Sequence, residues 1–140
     1  MAIYLNNNVG VKIATVDISS LISAVTLNQT FDELEVTAMG DFSHKFVKGL
    51  ESATLTLEFF NDWGASTVMD TLRTAFGTTV AVSMITVKGT AVSATNPSYQ
   101  FSILVNNLTP VGTGGVGDEA TSSITFTVNT VVTVSSSVAF

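Results

Sequence analysis

Apolar and polar positions alternate with a period of two along most of this chain, and that period sets the expected elements. Leu21, Ser23, Val25 and Leu27 fall on one side of an extended chain, and Leu34 and Val36 alternate with Glu35 and Thr37. Further on, Ala53, Leu55, Leu57 and Phe59 alternate with Thr54, Thr56 and Glu58. Strands with one buried face leave this signature. An earlier strand is expected from Val9 to Val16, ended by Asp17-Ile18-Ser19-Ser20, whose short polar side chains bond nearby backbone and favour a turn. Strand signals resume at Val80, Val82 and Met84, again at Tyr99, Phe101, Ile103 and Val105, and most cleanly at Ile124, Phe126 and Val128. Val131 to Val134 reads as an extension of that last strand.

The period changes once. Between Ser66 and Phe76 the apolar residues Val68, Met69, Leu72, Ala75 and Phe76 fall on one helical face, with Asp62 or Ser66 as the cap and Gly77 as the left-handed terminator. Phe59, Phe60 and Trp63 are expected as core at the strand-to-helix junction. The pattern predicts a mainly β protein: a sandwich or barrel-type sheet of about eight strands with one helix packed on it. Residues 1–140 form a single domain in this reading, with an N-terminal arm at 1–8 and a C-terminal tail at 135–140. A connection from Met39 to Gly49, rich in charge and aromatic groups, joins the early strands and holds the only His and two of the five basic residues.

Composition shifts this picture toward assembly. Charged residues make up only 11% of the chain, against about 25% in typical soluble domains. Much of the exterior must then be Thr, Ser, Asn and apolar groups, and a domain so poor in surface charge tends to associate. The net charge of −6 and the lack of a basic patch argue against a protein that holds nucleic acid by neutralising phosphates. With no cysteine there is neither a disulfide framework nor a thiolate metal site. The first residues lack a basic stretch followed by an apolar one, so no secretory signal is expected, and no apolar run approaches the ~18 residues of a membrane span.

Candidate chemistry is sparse. A nucleophilic triad would have to use His44 beside Asp41 and Ser43, and sequence neighbours rarely form one. Asp32, Glu33 and Glu35 lack the spacing of a calcium loop. The glycines of Gly112 to Gly117 are followed by no helix and no lysine, so they read as a flexible loop and not as a phosphate cradle. No catalytic residue, cofactor or metal is expected.

The run Val25-Thr-Leu-Asn-Gln-Thr-Phe-Asp-Glu-Leu-Glu-Val-Thr-Ala-Met-Gly-Asp41, followed by Gly49-Leu-Glu-Ser-Ala-Thr-Leu-Thr-Leu-Glu-Phe59, resembles phage tail tube (major tail) proteins. Ala91-Val-Ser-Ala-Thr-Asn-Pro-Ser-Tyr99 and the closing strand look like short members of that family, and the likeness covers about residues 18–130. The appended immunoglobulin-like domain of larger relatives is not expected here.

The resemblance implies a structural virion protein that self-assembles into hexameric rings, stacked into a tail tube. Its partners would be further copies of itself, the tape measure protein and other tail proteins. DNA would pass the lumen without specific binding, no membrane would be involved, and assembly would take place in the host cytoplasm. In that family the loop between the early strands stacks one ring on the next. Here it would be Gly40 to Gly49, with Asp41, Phe42, His44, Lys45, Phe46 and Lys48 at the contact. Phe42 and Phe46 would be buried between rings, and the basic residues would meet Asp32, Glu33 or Glu51 of the next ring. Candidate acids of the lumen wall are Glu35, Glu58, Asp118 and Glu119. Alternatives are a capsid decoration or head–tail connector protein, a secretion-system tube protein of the same fold and, more distantly, a carbohydrate-binding β module using Trp63, Tyr4 and Tyr99.

Overall fold

Every described strand pairs antiparallel, in a computed structural model that describes residues 8–112 and 115–140. The elements are β1 (Gly10–Ile13), β2 (Val16–Asp17), a short 3-10 turn (Ser19–Leu21), β3 (Ile22–Glu35), β4 (Phe46–Phe60), α1 (Val68–Ala75), β5 (Thr79–Ile85), β6 (Ser98–Leu104), β7 (Thr121–Val128) and β8 (Thr133–Ser135). They form one eight-stranded sheet in the order β2-β1-β5-β6-β7-β4-β3, with β8 paired to β6. The mainly β architecture with one helix is the one the alternation predicts.

The sheet folds over because its two halves share little ladder. β6 meets β7 only at Ile103↔Val128 and Leu104↔Thr127, so β1-β5-β6 and β7-β4-β3 turn toward each other across a common core. Val11, Ile13, Val82, Phe101 and Ile103 come from one half and Leu55, Leu57, Phe59, Ile124 and Phe126 from the other, all buried. Val68, Met69, Leu72 and Ala75 of α1 join the same cluster. Each such side chain stabilises the fold by roughly 1.5–3 kcal/mol through the area it removes from water.

Several expected boundaries move, each for a visible reason. The strand expected over Val9 to Val16 is a hairpin: Ala14 (φ 51°) and Thr15 (φ 69°) form a two-residue turn between Ile13 and Val16. Both turn residues must have positive φ, which Gly, Asn or Asp normally supplies. Ser23 is a bulge, and its hydroxyl donates to the Glu58 carbonyl at 3.1 Å, so Ile22 rather than Ser23 shares the core side with Val25 and Leu27. The helix begins after Thr67, and neither Asp62 nor Ser66 caps it. Asp62 instead accepts from the Gly64 amide, and Asp70 from the Ser66 amide. Gly77 (φ 81°) ends the helix as expected, but Phe76 is 55% exposed. Of the junction aromatics only Phe59 is core. Phe60 is partly exposed, and Trp63 is 48% exposed with the Arg73 guanidinium 5.7 Å from its ring. Val131 to Val134 does not prolong β7; the chain turns at Asn129 and Thr130 and lays β8 along β6.

The segment read as a C-terminal tail packs on its own chain. The Ser98 hydroxyl donates to the Val138 carbonyl at 2.7 Å, and the Lys12 ammonium donates to the Phe140 carbonyl at 3.0 Å while lying over the Phe140 ring. Gly10 leaves room for that ring, since a Cβ there would sit 2.7 Å from it. Of the expected arm, residues 1–7 lie outside the described residues. Asn8 exchanges bonds with Lys88, accepting from its amide and donating to its carbonyl.

The connection between β5 and β6 is organised by Asn96, buried although polar. Its Oδ1 accepts from the Thr86 hydroxyl (2.9 Å) and the Val87 amide (3.1 Å), and its Nδ2 donates to the carbonyls of Val87 (3.1 Å) and Thr90 (3.3 Å). Asn96→Ala strands these buried groups and is expected to lower stability by about 2–3 kcal/mol. Urea unfolding of the variant beside Thr95→Ala, which is expected to stay near wild type, checks this.

Candidate functional site: the β3–β4 hairpin

β3 and β4 pair from Ile22↔Phe59 to Glu35↔Phe46, forming a ladder much longer than the core it covers. Near its base one side is buried, with Ala53, Leu55, Leu57 and Phe59 in the core and Val25 and Leu27 packed against them. From Thr30 outward every β3 residue is exposed, so the distal ribbon stands clear of the domain on both faces. Phe46, Val47, Lys48 and Gly49, expected in the connecting loop, belong to β4. The connection itself is Val36 to Lys45, and the Val36 amide donates to the Lys45 carbonyl at 2.8 Å to close it.

A second bulge lies between Phe31 and Glu33, where β4 carries one extra residue. Gly49 is required there: a Cβ would lie 2.8 Å from the Asp32 Cβ and 2.9 Å from the Asp32 carbonyl oxygen. Beyond it, Glu33 faces Lys48 and Glu35 faces Phe46 on one side, and Leu34 faces Val47 on the other. The Lys48 ammonium sits 3.9 Å from the centre of the Phe31 ring. Phe31, Leu34, Val36, Met39, Phe42, Phe46, Val47 and Leu50 are all exposed, a dense group of large apolar side chains for a ribbon with no core of its own.

Polar groups shape the tip. The Asp41 carboxylate accepts from the Ala38 amide (2.8 Å) and the Lys45 ammonium (2.6 Å), and together they hold its pKa below the usual carboxylate range. The His44 Nδ1 lies 2.7 Å from a Glu35 carboxylate oxygen, which also accepts from the Thr37 hydroxyl at 3.1 Å. The Lys45 amide donates to that hydroxyl at 2.9 Å. Phe42 and Met39 stand fully exposed on this scaffold.

The fold therefore gathers Asp41, Phe42, His44, Lys45, Phe46 and Lys48 on one projection. It gives each basic side chain a partner within the hairpin: Glu35 for His44, Asp41 for Lys45 and the Phe31 ring for Lys48. Asp32, Glu33 and Glu51, the expected partners from a neighbouring copy, lie on the same hairpin, where Glu51 accepts from Gln29 at 3.1 Å. The four candidate wall acids are not brought together. Glu35 is at the tip, Glu58 near the base of β4, and Asp118 and Glu119 in the loop before β7, where Asp118 accepts from the Gly115 amide. The glycine-rich loop falls partly outside the described residues, at 113 and 114. The expected contact set left out Phe31, Leu34, Val47 and Leu50, although the alternation at Leu34 and Val36 runs past the last residue able to reach the core.

No protein-family model matches the chain, and no curated protein matches it in sequence.

Because pairing depresses the Asp41 pKa, the order its carboxylate gives the tip is complete above about pH 3.9, the ordinary Asp value, and disappears as pH falls through the lowered one. In an NMR titration the Ala38 amide of the wild type should therefore move with a midpoint below the ordinary Asp value, and Asp41→Asn should lack that step. An ordinary midpoint would mean that the clasp does not hold in solution.

Proposed function

We propose that this chain is a structural, self-assembling protein whose copies form closed rings that stack into a hollow tube, as the likeness to phage tail tube proteins implies. The observation that carries the reading is the β3–β4 hairpin: a ribbon exposed on both faces, studded with large apolar side chains and bordered by an open strand edge. A two-stranded ribbon is at best marginally stable alone in water, and exposed apolar side chains in such numbers mark a contact surface. Another copy of the chain supplies the cover in this reading.

The open edge supports the same account. Among the described residues β3 has β4 on one side and no strand on the other, along its full length. Unpaired edges of this kind invite further strands, and closing sheets into a ring removes them. Phe42 and Phe46 serve as anchors between stacked rings. Asp41, His44, Lys45 and Lys48 fix the shape in which the anchors are presented. The lumen would hold a tape measure protein and later pass DNA.

Negative-stain microscopy across a range of protein concentrations tests this directly. Long, uniform, hollow tubes are expected from the wild type. Phe42→Ala and Phe46→Ala should give folded protein that forms rings without stacking them, since neither side chain belongs to the core. A monomer that never assembles would overturn the reading. Limited oligomers that bind only a capsid or neck would favour the decoration or connector role, and rings of fixed size without open-ended stacking the secretion-system tube.

A further inference from the structure

We infer that the outer face of β3, β4 and β7 is the wall of the lumen, and that this wall is a nearly uncharged, hydroxyl-lined surface past which a polyanion moves without being held. The inference rests on the tube reading and adds to it the face that looks inward.

The strand register places the outward side chains in rows across the three strands. Thr26, Thr56 and Thr125 form one row, Asn28, Thr54 and Thr127 the next, and Thr30 pairs with Ser52 beyond them. Ala24, Glu58 and Ser123 make the next row toward the base, and Phe60 opposite Thr121 ends the series there. The Thr56 and Thr125 hydroxyls lie 3.0 Å apart. Glu58 is the only charged group in these rows, so of the four candidate wall acids it alone lies on this face.

A second observation is independent of the rows. Every lysine and arginine of the chain is engaged elsewhere by its own chain. Lys12 bonds the Phe140 carbonyl, Lys45 meets Asp41, Lys48 covers Phe31, Arg73 lies by Asp70 and Trp63, and Lys88 meets Asp17 at 2.6 Å. None reaches the hydroxyl rows. Affinity for nucleic acid comes chiefly from cations that neutralise phosphates, and this face offers none.

The opposite half of the sheet makes a poorer wall. The outer side of β1-β5-β6 carries Lys12 and is partly overlaid by the segment ending at Phe140. The hydroxyl rows instead end at the open edge of β3, so a sheet extended from copy to copy there would continue them around the ring.

The chain has no cysteine, which makes the orientation testable by single substitutions. Tubes assembled from Thr125→Cys, and from Ser137→Cys on the opposite surface, are treated with a small maleimide dye and with a maleimide carried on a large globular protein. The dye should label both. The large reagent should label Ser137→Cys and leave Thr125→Cys untouched. Reaction of the large reagent at Thr125→Cys in intact tubes would overturn the inference while leaving the tube in place; absence of tubes in the wild type would overturn the tube reading itself.

The wall chemistry has its own readout. Tubes of Thr125→Lys, with Ser123→Lys as the second variant, should retain a short duplex oligonucleotide about tenfold more than wild type at low salt and lose it as salt rises. Strong retention by wild-type tubes, or no gain from either lysine, would contradict a non-adhesive wall.

Discussion

The pairing of β3 with β4 is the constraint on which the rest of the structure depends. It begins inside the core, where Leu55, Leu57 and Phe59 are fully buried, and ends in solvent, where Leu34 and Val47 are about half exposed. The buried base anchors the ladder with several side chains, each contributing roughly 1.5–3 kcal/mol. The distal ribbon draws on that anchor and adds little of its own: a cation over Phe31, exposed polar pairs that water screens, and the Asp41 clasp at the tip. It is ordered enough to keep a shape and too apolar to be at rest in water.

The two ends of the sheet are treated differently by the sequence. At one end β1 is closed by its own chain: the Val11 amide donates to the Ser19 hydroxyl at 2.9 Å, and the Ile18 amide donates to the Val11 carbonyl at 3.1 Å. Lys88 and Asp17 reinforce that closure. Partial burial raises the Asp17 pKa, but hydrogen bonds from Lys88 and Ser19 outweigh it and bring the carboxyl to about 2. At the other end β3 has no strand beside it among the described residues. A molecule with one sealed and one open long edge is suited to directed association and not to indiscriminate aggregation, the hazard that open edges normally bring.

Much of this was legible in the sequence, and the gaps have physical causes. Strict alternation at Ala53 to Phe59 and at Ile124 to Val128 located strands whose one face is core. The helical face of Val68, Met69, Leu72 and Ala75 was equally plain, and Gly77 marked its end. The turn at Ala14-Thr15 was not legible, because it uses two residues that rarely take positive φ and tertiary packing overrides that preference. Trp63 was misread as core because hydrophobicity alone does not reveal that Arg73 lies near its ring on the surface. At the hairpin, the charged and aromatic composition pointed to the right stretch. Its cations find their partners locally, however, and cross-strand neighbours become visible only once the bulge at Gly49 sets the register.

The central claim is that the open edge and bare ribbon of β3 are covered by another copy of the chain. Hydrogen exchange along Ile22–Glu35, followed as protein concentration rises, tests it most directly. The account predicts that β3 amides unprotected in dilute protein become protected together with those of Phe46 to Lys48, while the β1 edge, already closed by Ser19, changes little. Unchanged β3 exchange at concentrations where the protein has assembled would place the contact elsewhere and contradict the account.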